Sequence, residues 1–207
     1  MDDDRRGFYH LAYDLEDGDT KAFYSAWAET YDEELVTGKG YALPARCRDA
    51  FDRHVPDRQI VVADLGCGTG LLGRQLATLG FTEIDGFDYS REMLAQAGST
   101  GSYRSLVVAD LNDRLAVSDG SYGAAAAMGV FSFAHVYAAA LDEMLRILQP
   151  SGRLIIGVNE IFVEEGSLTA KIDHLIEAGG AALVDRQYGD HVPASGVNGW
   201  VIVLEKR

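Results

Sequence analysis

From residue 60 to residue 205, short apolar runs alternate with segments whose apolar positions recur every three or four residues. The runs predict strands over 60–65, 83–88, 103–109, 121–128, 152–158, 181–188 and 198–205. Between them, Leu71, Leu72, Leu76 and Leu79 predict a helix over 69–79 that Gly80 ends, and a second helix covers 90–97. Ala139, Leu141, Met144, Leu145 and Leu148 predict a third over 136–148, and Leu168, Ile172, Leu175 and Ile176 a fourth over 165–178. Strand and helix in alternation imply a parallel sheet with helices on both faces. Tyr188 to Gly199 is too short for a helical crossover, so the last two strands are expected to be antiparallel. Upstream, Phe23, Trp27, Tyr31 and Leu35 form an apolar stripe on a helix beginning near Asp19 and Thr20.

One join in this pattern carries chemistry. Val61 to Gly73 runs from an apolar strand through Asp64 into three alternating glycines, Gly66, Gly68 and Gly70, which can take positive φ and leave main chain bare to a ligand. Thr69 is the expected N-cap of the following helix. Two ligand classes fit. Gly68 to Gly73 matches G-x-G-x-x-G, with Asp88 about 20 residues on, as a dinucleotide site requires. Against that, a carboxylate two residues before the first glycine repels a pyrophosphate and attracts a cation. S-adenosylmethionine carries a sulfonium and an ammonium group, so Asp64 favours it over NAD.

These residues resemble motif I of the class I S-adenosylmethionine-dependent methyltransferases, in the form Asp64-x-Gly66-x-Gly68-x-Gly70 with Cys67 inside it. Gly86-Phe87-Asp88-Tyr89-Ser90, followed by Met93-Leu94, resembles the family's second-strand segment, whose acid holds both ribose hydroxyls. Val107-Val108-Ala109-Asp110-Leu111 resembles the segment whose acid accepts from the adenine amino group. Leu148-Gln149-Pro150-Ser151-Gly152 resembles the turn before strand five, with Ser151 where Gly is usual. Phe23 to Asp32, with Gly40-Tyr41-x-x-Pro44, is similar to the N-terminal segment of the Williams-Beuren-region type of methyltransferase-like proteins.

The resemblance implies a seven-stranded, mostly parallel Rossmann-like α/β sheet with a reversed last strand. Residues 1–56 are expected as a helical cap over the cofactor cleft, within the same domain as a 57–207 core. It implies that Asp64, Gly66, Cys67, Gly68, Gly70, Asp88, Tyr89, Asp110 and Met128 border the cofactor, with Met93 and Leu111 as apolar walls against adenine. By analogy with the family, Tyr24 or Tyr31 reaches the methionine end, while Phe23 and Trp27 pack in the core. Each acid also has a plainer reading: acids after buried strands begin turns or cap helices, and Asp88 before Ser90 fits that role. Three acids at successive strand ends favour the ligand reading, because the crevice outside the strand ends is where such sheets bind.

Composition narrows the acceptor. At 207 residues the chain is expected to be one domain, and 47% hydrophobic content excludes a disordered chain. A net charge of −14 argues against nucleic acid as a partner, since phosphate binding needs clustered Lys and Arg. Arg46, Arg48, Arg53 and Arg58 are interleaved with acids and are expected on a solvated helix face. Cys47 and Cys67 lack zinc-site spacing, and no apolar leader or spanning run occurs, which points to a cytoplasmic protein. The polar Asn/Asp-Pro-Pro-Tyr type of motif is absent after the fourth strand, where Met128, Gly129, Val130 and Phe131 stand instead. A small, partly apolar methyl acceptor follows. His135, at the mouth of the cleft, is the candidate base, His191 a second one, and Asn159 and Glu160 are candidates to orient the acceptor. A binding module that holds the cofactor without turnover, and less favourably an NAD-linked oxidoreductase, stand as alternatives.

Overall fold

The computed structural model describes residues 38, 40–131 and 136–207. The described helices are α1 (Leu43–His54), α2 (Leu71–Thr78), α3 (Arg91–Ser99), α4 (Ala140–Arg146), α5 (Glu160–Glu165) and α6 (Ser167–Glu177). The strands are β1 (Val62–Leu65), β2 (Ile84–Asp88), β3 (Ser105–Val108), β4 (Tyr122–Met128), β5 (Leu148–Asn159), β6 (Ala181–Val192) and β7 (Val197–Lys206).

They form one seven-stranded sheet in the order β3-β2-β1-β4-β5-β7-β6. The pairs from β3 to β5 are parallel, and β7 runs antiparallel to both β5 and β6. The reversed last strand predicted from the short Tyr188-to-Gly199 connection is thus present. Its connection is tighter than a loop of that length, because β6 continues to Val192 and only a 3-10 turn, Pro193–Ser195, separates it from β7.

Alternation along the central strands sends side chains to two cores. Ala63, Leu65, Ala125 and Ala127 face α4 and α6, while Val62, Ala124 and Ala126 face α1 and α2. Four consecutive alanines in β4 keep both helical layers close to the sheet. Strand order reverses at β1, whose neighbours are β2 and β4, so the crevice of this fold opens at the carboxyl ends of those three strands.

Local details depart from the sequence reading in several places. The N-cap of α2 is Gly70 in the left-handed region, not Thr69, whose side chain is buried instead. α4 is shorter than the predicted 136–148, and β5 begins at Leu148, ahead of the turn that holds Ser151 at φ 62°. The arginine-bearing helix exists as α1, but Arg46 points inward. Its guanidinium donates to the carbonyls of Gln187, Gly189, Asp190 and Gly199 at 2.8–3.2 Å and fastens α1 to the β6–β7 hairpin. The predicted helix near 19–35 lies outside the described residues.

Candidate functional site

β1 delivers Asp64 and Leu65 to the crevice, and the chain turns through residues 66–70 into α2. Gly66, Gly68 and Gly70 have φ of 72°, 54° and 89°, a region that side chains rarely enter. A Cβ at Gly66 would lie 2.1 Å from Val130 Cγ1, so the loop is pressed against the segment after β4. A Cβ at Gly68 would meet nothing within 4 Å, so that turn faces open space.

The amides of this loop are engaged within the protein. Gly66 and Cys67 N–H donate to the Phe87 carbonyl at 2.7 and 3.0 Å, and Gly70 N–H donates to the Cys67 carbonyl at 2.9 Å. Gly68 N–H donates to Asp88 Oδ2 at 3.0 Å. A pyrophosphate cradle needs such donors free and no anion among them.

Asp88, 7% exposed, also accepts from Ser90 N–H at 2.9 Å. Burial pushes its carboxyl above the usual range, opposed by the backbone donors of Ser90, Gly68 and Tyr89. The helix-capping alternative for Asp88 falls to its neighbour: Ser90 Oγ accepts from Met93 N–H at 3.2 Å and caps α3. Asp88 begins the turn before α3 through the Ser90 amide and also ties β2 to the glycine loop.

Asp64 is 1% exposed, and its Oδ2 accepts from the Tyr103 hydroxyl at 2.7 Å. Burial raises its pKa, the phenol hydrogen bond opposes, and the nearby Asp88 charge adds, leaving the group pushed up to about 7. Among the described residues no Lys or Arg forms an ion pair with Asp64 or Asp88. Asp85 shows the contrast one strand away. Burial pushes its carboxyl up as well, but Arg104 at 2.9 and 2.5 Å, Ser105 at 2.6 Å and Tyr122 at 3.0 Å hold it below the usual range. A buried carboxylate without a cation in a cleft is a candidate binding group.

Tyr103 escapes the sequence reading, although the glycines around it announce it. Its ring occupies the space where side chains at Gly70, Gly73 and Gly86 would begin, with Cβ positions 3.1, 2.3 and 3.0 Å from ring atoms. Gly73 therefore completes the G-x-G-x-x-G pattern for a reason unrelated to dinucleotides. A glycine inside a helix costs about 1 kcal/mol and calls for a packing explanation, which was the available signal.

The other predicted residues gather at the same edge. Cys67 and Met93 are buried, Tyr89 is half-buried, and Leu111 Cδ1 lies 3.6 Å from the Cβ position of Gly66. Met128 follows Ala127, the register partner of Leu65. Asp110 is exposed beyond β3 and accepts from Asn112 N–H at 2.8 Å. Tyr24, Tyr31 and His135 lie outside the described residues.

Across the crevice Asn159 and Glu160 have framework partners. Asn159 Oδ1 accepts from Phe162 N–H at 2.9 Å and caps α5, while Glu160 accepts from Asn198 N–H at 3.0 Å and from the Tyr188 hydroxyl. His191 is 3% exposed and packs edge-on to Tyr41 at 5.3 Å. Burial and the Arg46 charge lower its pKa to about 4.

The family model described as "Methyltransferase domain" matches residues 63–156, from β1 into β5. Methyltransferase-like protein 27 of Homo sapiens is 29% identical over 163 residues, 76% of this chain. The match spans 66% of that relative's own length, just short of two thirds. The solved structure of Burkholderia thailandensis 1,6-didemethyltoxoflavin-N1-methyltransferase, with 1,6-didemethyltoxoflavin and S-adenosylhomocysteine bound, is 19% identical with a TM-score of 0.67, over 93% of this chain and 91% of that one. The (4+2)-cyclase SpnF is 17% identical with a TM-score of 0.70, over 93% of this chain and 97% of that one.

Proposed function

We propose that this chain is a class I S-adenosylmethionine-dependent methyltransferase and that it transfers the sulfonium methyl group to a small, partly apolar acceptor. The observation that carries the reading is a glycine loop with engaged amides, bordered by two buried carboxylates, Asp64 and Asp88, that pair with no described cation. This suits a ligand with a cationic end and disfavours a pyrophosphate.

When bound, S-adenosylmethionine supplies a methyl group already activated on a cationic sulfur. In the proposed assignment Asp64 provides negative charge toward the cationic end. Asp88 accepts from the ribose hydroxyls through lone pairs beyond those that the backbone donors of Gly68, Ser90 and Tyr89 use. Asp110 and the Leu111 amide meet the adenine edge, Met93 and Leu111 wall the ring, and Tyr89, Met128 and the loop residues Gly66, Cys67, Gly68 and Gly70 border the rest. Tyr24 or Tyr31 serves the methionine end from the 1–56 cap. Displacement at an activated carbon depends on alignment and exclusion of water, with a base needed only when the acceptor arrives protonated. His135 is the proposed base. The net charge of −14 supports a small-molecule acceptor over nucleic acid, and two unpaired buried thiols, Cys47 and Cys67, support a cytoplasmic setting.

A second reading, cofactor binding without methyl transfer, draws on the (4+2)-cyclase neighbour, whose name describes a different reaction on this fold. A thermal-shift titration with S-adenosylmethionine, S-adenosylhomocysteine and NAD tests the cofactor. A ligand at 100 times its Kd adds roughly 2.7 kcal/mol, which is several degrees for a domain of this size. Stabilisation by NAD alone overturns the proposal. Release of S-adenosylhomocysteine across a metabolite panel separates transfer from binding: turnover supports transfer, and binding with no turnover supports the second reading.

A further inference from the structure

We propose that Tyr103 is a positioning residue, whose hydroxyl holds the Asp64 carboxylate in the orientation that receives the cationic amino-acid end of S-adenosylmethionine. The inference rests on the cofactor reading above. α2 gives up side-chain volume to this ring at Gly73, where a Cβ would lie 2.3 Å from it, and the ring also borders Gly70, beside Ala97 and Thr100, and Gly86, beside Leu106 and Cys67. The Tyr103 hydroxyl donates its proton to Asp64 Oδ2 at 2.7 Å. Burial and the Asp64 charge push the phenol far up, so it stays a donor. The other titratable groups facing Asp64 among the described residues are Asp88, the Cys67 thiol from the loop and the Cys47 thiol from α1. None of them is a cation, so the phenol fixes the carboxylate without neutralising it.

The test is isothermal titration of the wild type, Tyr103→Phe, Asp64→Asn and the double variant with two ligands. One is S-adenosylmethionine; the other is 5′-methylthioadenosine, which keeps the nucleoside and lacks the amino-acid end. Tyr103→Phe retains the ring that borders the three glycines. Above neutral pH it is expected to lose about tenfold or more affinity for S-adenosylmethionine, as for a hydrogen bond to a charged group, while 5′-methylthioadenosine changes by about twofold or less. Its half-maximal affinity for S-adenosylmethionine moves to higher pH, since the carboxylate has lost a donor. The double variant is expected to bind no more weakly than Asp64→Asn alone. Equal losses for both ligands, unchanged affinity for S-adenosylmethionine, or additive effects in the double variant overturn the positioning role. A folded wild type that ignores S-adenosylmethionine overturns the cofactor reading and this inference together.

Discussion

The two halves of the crevice are built from the same sheet and treat their buried polar groups differently. On the β1–β2 side, Asp64 and Asp88 are held by a phenol and by backbone amides, with no described cation beside them. On the β5–β6–β7 side, Asn159 caps a helix, Glu160 joins Tyr188 to Asn198, and His191 is neutral against Tyr41. One half holds buried carboxyl groups that pair with no described cation, and the other has tied Asn159 and Glu160 into the framework. Buried carboxyl groups without a cationic partner point to a ligand's chemistry, and side chains bonded into the framework do not. The cofactor is therefore readable from this structure, while the acceptor is reached through exclusion.

The strongest way to break the comparison is to damage the loop itself. Gly66→Ala adds a Cβ at φ 72° and 2.1 Å from Val130 Cγ1. Left-handed strain and overpacking together are expected to cost about 2 to 5 kcal/mol of stability. Denaturant unfolding checks this, and a loss under 1 kcal/mol shows that loop and Val130 yield freely, so the site is not rigidly prepared.

Proton linkage gives the halves opposite signs. Asp64 is raised from 3.8 to about 7, so its contribution is present in full below pH 3.8 and is lost as pH climbs toward 7. His191 is lowered from 6.5 to about 4, so its contribution is present above pH 6.5 and is lost as pH falls toward 4. Each is on the order of 3 to 4 kcal/mol at most, and between pH 4 and 6.5 the slopes oppose. Relative to wild type, Asp64→Asn is expected to tilt stability toward a gain with rising pH there, and His191→Gln toward a loss. Unfolding free energies across that range decide the matter; two variants with wild-type slopes would refute the assigned environments.

The same asymmetry explains what the sequence disclosed. Strand and helix periodicity, three acids at successive strand ends and the short Tyr188-to-Gly199 connection carried the sheet, its reversed strand and the loop. Tyr103 was invisible because its partners, Gly70, Gly73, Gly86 and Asp64, are up to 39 residues away and meet only after three parallel strands align. Thr69 matched the helix-cap composition, but Gly70 had already taken the left-handed turn that starts α2. Arg46 looked like a surface cation until β6 and β7 presented four carbonyls to it. Short-range patterns survive in a sequence, whereas contacts that depend on strand order do not.

A smaller effect sharpens the carboxyl-bearing half. Asp88→Ala removes the acceptor for the Gly68 and Ser90 amides and the proposed ribose contact. Affinity for S-adenosylmethionine is expected to fall by about 1.5 to 3 kcal/mol, the range for hydrogen bonds to a charged group. Titration calorimetry on the folded variant reads it. Affinity within a factor of two of wild type would remove Asp88 from the cofactor assignment and leave it a loop staple.

The smallest change falls far from the crevice and serves as the control that separates stability from binding. Ser151 holds φ 62° in the turn at the amino end of β5, where an L side chain meets the following carbonyl. Glycine removes that strain and adds some unfolded-chain entropy, so Ser151→Gly is expected to stabilise by up to about 1 kcal/mol, raising Tm by a few degrees. Because the turn lies at the opposite end of β5 from Asn159, affinity for S-adenosylmethionine is expected to stay unchanged. A stabilised variant with altered affinity would mean that the two ends of the sheet communicate, and the division of the crevice into carboxyl and framework halves would then describe only its resting packing.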